Sequence, residues 1–132
     1  MSETANVRLI QDLYAAFGRG DVGAVLGFLG PGAELSFEGP ESIPWTGNWP
    51  GADGWTRFFQ TLGSAADNVQ LQMEPFAAQD GNVVFAGRYQ ARVKATGKQI
   101  DSPLVHLWTI RDGQVASCRE MTNTAAEASA CA

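Results

Sequence analysis

Histidine and cysteine are scarce in this 132-residue chain: one histidine, His106, and two cysteines, Cys118 and Cys131. Two thiols cannot build a disulfide framework or a zinc cluster, so a reduced thiol is the default for each. Basic residues are few as well, nine Lys and Arg against fourteen Asp and Glu, and they form no run. The electrostatic footprint of a nucleic-acid binder is therefore missing. No apolar stretch approaches the ~20 residues that a bilayer span needs. The opening Met1-Ser2-Glu3-Thr4 has neither the basic nor the apolar segment of a secretory leader. A cytoplasmic protein with no membrane and no nucleic-acid partner is the expectation. Phosphate loops, dinucleotide fingerprints, nucleophile elbows and metal-ligand clusters are equally lacking, so the expected chemistry uses no cofactor and no metal.

What is present is apolar surface. Hydrophobic residues make up 45% and charged residues 17%, the balance of a globular chain. This length suits a single domain over residues 1–132 that buries roughly two thirds of its unfolded surface. Four Trp, two Tyr and seven Phe are included, with Trp45, Trp49 and Trp55 inside one short window.

The hydrophobic period is 3.6 in the first half and 2 in the second. Val7, Ile10, Tyr14 and Phe17 mark a helix over 5–17, capped by Ser2 or Thr4 and stopped at Gly18-Arg19-Gly20. Asp21 caps a short helix over 22–29, and 33–38 reads as a strand with Leu35 and Phe37 on one face. Residues 39–50, with three prolines, read as an ordered loop. Asp53 or its predecessors open a helix to about 63, with Trp55, Phe58, Phe59 and Leu62 on its apolar face. From about 68 to 123 four alternating segments are joined at Asp80-Gly81, Thr96-Gly97 and Asp112-Gly113, which makes an antiparallel meander. The Ala-rich end is expected to fray. Helices first and strands after describe an α+β fold, a curved sheet wrapped around helices and open at one end for a small molecule.

The segment Tyr14-Ala15-Ala16-Phe17-Gly18-Arg19-Gly20-Asp21 resembles the end of the first helix in the nuclear-transport-factor-two-like superfamily. Ile43-Pro44-Trp45-Thr46-Gly47, Gly51-Ala52-Asp53-Gly54 and His106 through Val115 are similar to its SnoaL-like and ketosteroid-isomerase-related members. The resemblance spans nearly the whole chain. It implies a cone-shaped fold of three N-terminal helices on a mainly antiparallel sheet, the cystatin-like roll. It also implies a deep apolar pocket and a homodimer formed through the outer sheet face. The superfamily holds isomerases, polyketide cyclases, epoxide hydrolases, dehydratases and non-catalytic binders, so the fold alone does not choose among them, and a cofactor-independent isomerase, cyclase or hydratase/dehydratase is the expected enzyme type.

Alternation groups His106 with Ile100, Ser102, Leu104, Trp108 and Ile110, which points it inward. There it either meets a ligand oxygen or is a core histidine satisfied by its neighbours. The resemblance places it where ketosteroid isomerases hold an oxyanion-binding carboxylic acid. Glu120 shares a face with Ala116, Cys118 and Thr122, and a buried carboxylate suits proton transfer. It is similar in position to the aspartate that SnoaL-like cyclases use, and pairing with a neighbouring arginine is the alternative. Glu38 resembles the isomerases' base in position. Inward Leu35 and Phe37 nevertheless send Glu38 outward unless a bulge intervenes, and Phe37 then takes the pocket position. The isomerases' oxyanion tyrosine matches Leu13 and not Tyr14, and one residue turns a side chain by ~100°, so Tyr14 is expected to pack. Tyr14, Phe17, Phe37, Trp45, Trp49, Trp55, Phe59, Trp108, Cys118 and Thr122 are the candidate lining of a site for an apolar, polycyclic ligand, with Trp45 and Trp49 at its mouth.

Overall fold

The computed structural model describes residues 2–132. Ser2 caps α1 (Glu3–Gly18), its hydroxyl accepting from the Ala5 amide at 3.1 Å. Asp21 caps α2 (Val22–Leu26) in the same way through the Ala24 amide. β1 (Leu29–Phe37) starts earlier than the alternation suggests, because an irregularity between Leu29 and Glu34, with Gly32 at φ +67°, hides its first residues from a period-2 pattern. The expected loop contains a short strand, β2 (Gly47–Pro50), paired with β1. α3 (Gly51–Ala65) begins two residues before Asp53 and has no side-chain cap. Asp53 instead lies in its first turn, where the helix dipole favours an anion.

β3 (Ala66–Gln79), β4 (Asn82–Val93), β5 (Gln99–Arg111) and β6 (Gln114–Thr122) form the meander. Asp80-Gly81 and Asp112-Gly113 all sit at positive φ, the backbone a two-residue hairpin demands. The six-stranded sheet has the order β2-β1-β6-β5-β4-β3. β1 runs parallel to β6 and every other pair is antiparallel. The inner face of the sheet and the apolar stripes of α1 and α3 bury Ile10, Leu13, Trp55, Phe58, Phe85 and Trp108 in one core.

The C-terminal residues are not frayed. They form α4 (Thr124–Cys131), capped by Asn123, whose side-chain oxygen accepts from the Ala126 amide. Alanine is the strongest helix former. The helix is docked by buried Glu127 and Ala130, and Thr96 Oγ1 donates to the Ala130 carbonyl at 2.6 Å.

Gly87 lies where β3 and β4 approach closely. A Cβ there would stand 1.8 Å from the Gln72 carbonyl oxygen, a backbone atom that cannot move alone. Gly87→Ala is expected to cost about 1–3 kcal/mol, as overpacking does. Urea unfolding measures the loss.

Candidate functional site

Period-2 alternation along β5 buries Ile100, Ser102, Leu104, His106, Trp108 and Ile110 on the inner face. Antiparallel pairing sets His106 opposite Glu120 and Trp108 opposite Cys118. His106 Nε2 lies 2.5 Å from Glu120 Oε1, and His106 Nδ1 lies 2.6 Å from the Tyr14 hydroxyl. Trp108 Nε1 donates to the same hydroxyl oxygen at 3.0 Å. A buried chain thus runs Trp108–Tyr14–His106–Glu120.

The inventory of donors fixes its direction. An indole N–H can only donate, so the Tyr14 oxygen accepts from Trp108. With a neutral imidazole, the Tyr14 O–H donates to Nδ1 and the Nε2–H donates to Glu120 Oε1, which leaves no proton unassigned. Burial pushes the Tyr14 hydroxyl far above the usual phenol range, with the Glu120 charge adding to it, so it stays protonated. Burial, then the Glu120 charge, likewise raises the Cys118 thiol, which is a poor nucleophile as a result. The second carboxylate oxygen, Glu120 Oε2, is buried without a hydrogen-bond partner. Such an atom costs about 1–3 kcal/mol unless something completes it.

These groups border a cavity of about 60 Å³ that is otherwise apolar. Phe37, Trp45, Trp55 and Trp108 wall it as buried side chains, and Phe17 and Phe59 contribute half-buried rings. Cys118 borders it beside Glu120.

Six placements expected from the sequence need correction. Glu38 is exposed and bound to Arg119 at 2.7 Å on the outer surface, because Phe37 takes the inward position. Trp49, half-buried on β2, packs edge-on against Phe58 and donates to the Trp45 carbonyl, away from the cavity lining. Trp45 is not at a mouth: it is fully buried and donates at 3.2 Å to Glu127. Thr122 also turns to Glu127. Ala116 leaves the face of Cys118 and Glu120 because it is the extra residue of a bulge, with Ser117 paired to Thr109 and Val115 to Ile110. Tyr14, expected only to pack, joins the polar chain as well as packing edge-on against Phe85.

Glu127 escaped the sequence reading. It is fully buried, and burial raises its carboxyl to about 7, partly offset by the Tyr89 hydroxyl beside it and by the bond from Trp45. The Tyr89 hydroxyl faces this carboxylate yet completes no hydrogen bond of good geometry. The available signal was Asn123 ahead of an Ala-rich stretch, a cap followed by a strong helix former. Among the described residues no group of three His, Cys, Asp or Glu side chains is placed to hold a metal ion, and no helix is long and apolar enough to cross a membrane.

The sequence pattern of the SnoaL-like domain matches residues 10–118. The chain belongs to the SnoaL-like family. Its fold is similar to that of an NTF2-like protein from Burkholderia xenovorans LB400, with a TM-score of 0.89 and 28% identity over 100% of this chain and 99% of that one. TerC, co-crystallised with polyporic acid, gives a TM-score of 0.85 at 23% identity over 96% of this chain and 98% of its own. A proposed SnoaL-like polyketide cyclase from Jannaschia sp. CCS1 gives 0.82 at 24% identity over 97% and 92%. At that identity the last two similarities speak for the fold alone. No curated protein matches this SnoaL-like chain in sequence.

Proposed function

We propose that the cavity binds a small apolar ligand, a flat or polycyclic carbonyl compound, and that Glu120 moves a proton beside the carbonyl, as isomerases and polyketide cyclases do. One observation carries this reading: a buried carboxylate side chain in the lining of an apolar cavity, with one oxygen held by His106 and the other without a partner. Glu120 Oε2 takes the proton from the ligand carbon, and Oε1 keeps its bond from His106 Nε2–H throughout. The same oxygen then returns the proton to a second carbon. General acid–base catalysis of this kind contributes about 10²–10⁴-fold, and positioning in a dry site supplies more. A free volume of about 60 Å³ is far below that of a ring system, so the half-buried rings of Phe17 and Phe59 swing aside on binding.

A second reading rests on the same geometry. Both nitrogens of His106 are satisfied inside the protein, which also suits a binding module whose polar groups only hold a ligand. Turnover that Glu120→Gln removes supports the enzyme. A ligand that binds without ever turning over, and whose affinity Glu120→Gln destroys, supports the module.

A homodimer through the outer sheet face is part of this proposal. Ala86, Val105 and Met121 lie side by side across three strands there, as do Val84 and Leu107, all of them only half-buried. Phe76, at the bulge of the edge strand β3, is 79% exposed. Paired charges such as Arg88 with Asp101 frame the patch.

Thermal unfolding tests the ligand class. A compound at ~100 times its dissociation constant adds about 2.7 kcal/mol, a shift of about 10 °C for a domain of this size. Aromatic carbonyl compounds should give such shifts. Shifts from sugars or nucleotides, with none from aromatic carbonyls, would contradict the assignment.

A further inference from the structure

Two rings of the cavity wall, Trp45 and Tyr89, direct their polar tips at one carboxyl group that is not itself part of the wall. The Trp45 indole N–H donates to Glu127 Oε2 at 3.2 Å, and the Tyr89 hydroxyl faces the same carboxylate. Thr122 Oγ1 donates to the other oxygen, Oε1. Glu127 has no exposed surface and stands one side chain behind the lining. Its surroundings on β4, β6 and α4 are the Tyr89 hydroxyl, Thr122, the Glu120 charge and the Cys131 thiol. His106 on β5 is turned to Glu120, and Lys98 donates to the Ala132 carbonyl at the end of α4. Among the described residues no salt bridge includes Glu127. Burial is the main reason that its carboxyl is held at about 7, and the Glu120 charge adds to it.

We infer that Glu127 couples ligand binding to proton uptake: an apolar ligand fills the cavity with this carboxyl in its neutral form. The inference rests on the reading of the cavity as a ligand site, and it brings in a group that the ligand never touches. An apolar body seated against Trp45 and Tyr89 lowers the dielectric around a charge one ring away, and desolvation disfavours a charged carboxylate. It also strengthens the repulsion between Glu120 and Glu127, because charges act more strongly where water is excluded. The neutral acid fits without losing a bond. Trp45 still donates to Oε2, and a proton on Oε1 is accepted by the hydroxyl oxygen of Thr122 or Tyr89. That proton comes from the buffer. Since the carboxyl is raised further in the complex, affinity is full below about pH 7 and falls as pH rises above it.

2-Acetylnaphthalene, a flat ketone with no group that titrates in this range, is the probe. Calorimetric titration in two buffers of unlike ionisation enthalpy counts the protons taken up per ligand bound. The wild-type protein should take up a fraction of a proton at about pH 7.5 and none at about pH 5, where Glu127 is already neutral. Its affinity should fall about 3–10-fold between about pH 6 and about pH 9. Glu127→Gln keeps an acceptor for Trp45 and carries no charge, so uptake should vanish and binding should persist without the pH dependence. Glu120→Gln should retain the uptake, because the Glu120 charge is the smallest of the causes acting on Glu127. Binding to the wild type with no uptake and no fall with pH overturns the inference whether or not either variant folds, and leaves the ligand site standing. Uptake that survives in a folded Glu127→Gln protein, or disappears in Glu120→Gln, assigns the proton to another group and overturns it too. A probe that binds none of the three proteins removes the ligand-site reading and the inference together.

Discussion

Glu120→Gln should lower kcat by about 10²–10⁴-fold on a substrate that turns over, with the protein still folded and the apolar part of the ligand still held. The amide keeps the size of the side chain and its bond from His106 Nε2–H, but it cannot take a proton. The loss therefore falls on kcat, while the aromatic walls that Trp55 and Phe37 supply are untouched. Glu120→Asp should fall between. One methylene shorter, it keeps a carboxylate but draws both oxygens back, which stretches the 2.5 Å contact to His106 and misplaces the base. Steady-state kinetics on the three proteins, beside ligand dissociation constants, separate a lost base from a lost pocket.

Trp45→Ala should destabilise the fold by about 3–5 kcal/mol, the cost of removing a fully buried aromatic ring. The penalty should also grow with pH. Glu127 titrates at about 7 in the folded protein against 4.5 in a model peptide, mainly because it is buried. For an acid raised in this way, the stabilising contribution is fully present below the lower value and is lost as pH rises through the upper one. The wild-type protein should therefore lose stability between pH 4.5 and somewhat above 7, by up to about 3 kcal/mol. Without the Trp45 indole N–H, the ionised carboxylate has one donor fewer and the loss steepens. Glu127→Gln, which cannot ionise, should flatten this part of the profile and be the more stable protein at about pH 8. Urea unfolding across that range reads all three. A Glu127→Gln profile parallel to that of the wild type would show that Glu127 is not the titrating group.

Much of this was legible from periodicity. The Asp-Gly turns and the alternation from residue 68 onward define β3 to β6, and the inward positions of His106 and Glu120 follow from the same alternation. Alternation carries no information on register, so the pairing of those two residues and its 2.5 Å contact came only with the fold. The parity of Leu35 and Phe37 against Glu38 already favoured an outward Glu38, and nothing bulges between residues 34 and 37 to reverse it. The one-residue offset along α1 argued only for packing at Tyr14, which does pack edge-on against Phe85. The Tyr14 side chain is long enough to bring its hydroxyl to His106 all the same. α4 was missed because a chain end suggests fraying, although Asn123 and the alanines after it favour a helix. With α4 went Glu127, the role of Thr122 and the burial of Trp45, which depend on contacts between segments as far apart as residues 45 and 127.

The account turns on Glu120 moving a proton at an apolar ligand, and isotope exchange reads that step without any need for net conversion. A bound aromatic or polycyclic carbonyl compound is incubated in D₂O, and its proton beside the carbonyl is followed by NMR. The expected result is exchange accelerated by the wild-type protein and slowed about 10²–10⁴-fold by Glu120→Gln at equal occupancy. A ligand that saturates the cavity while its protons exchange no faster than in free solution, or equally fast with both proteins, would contradict it.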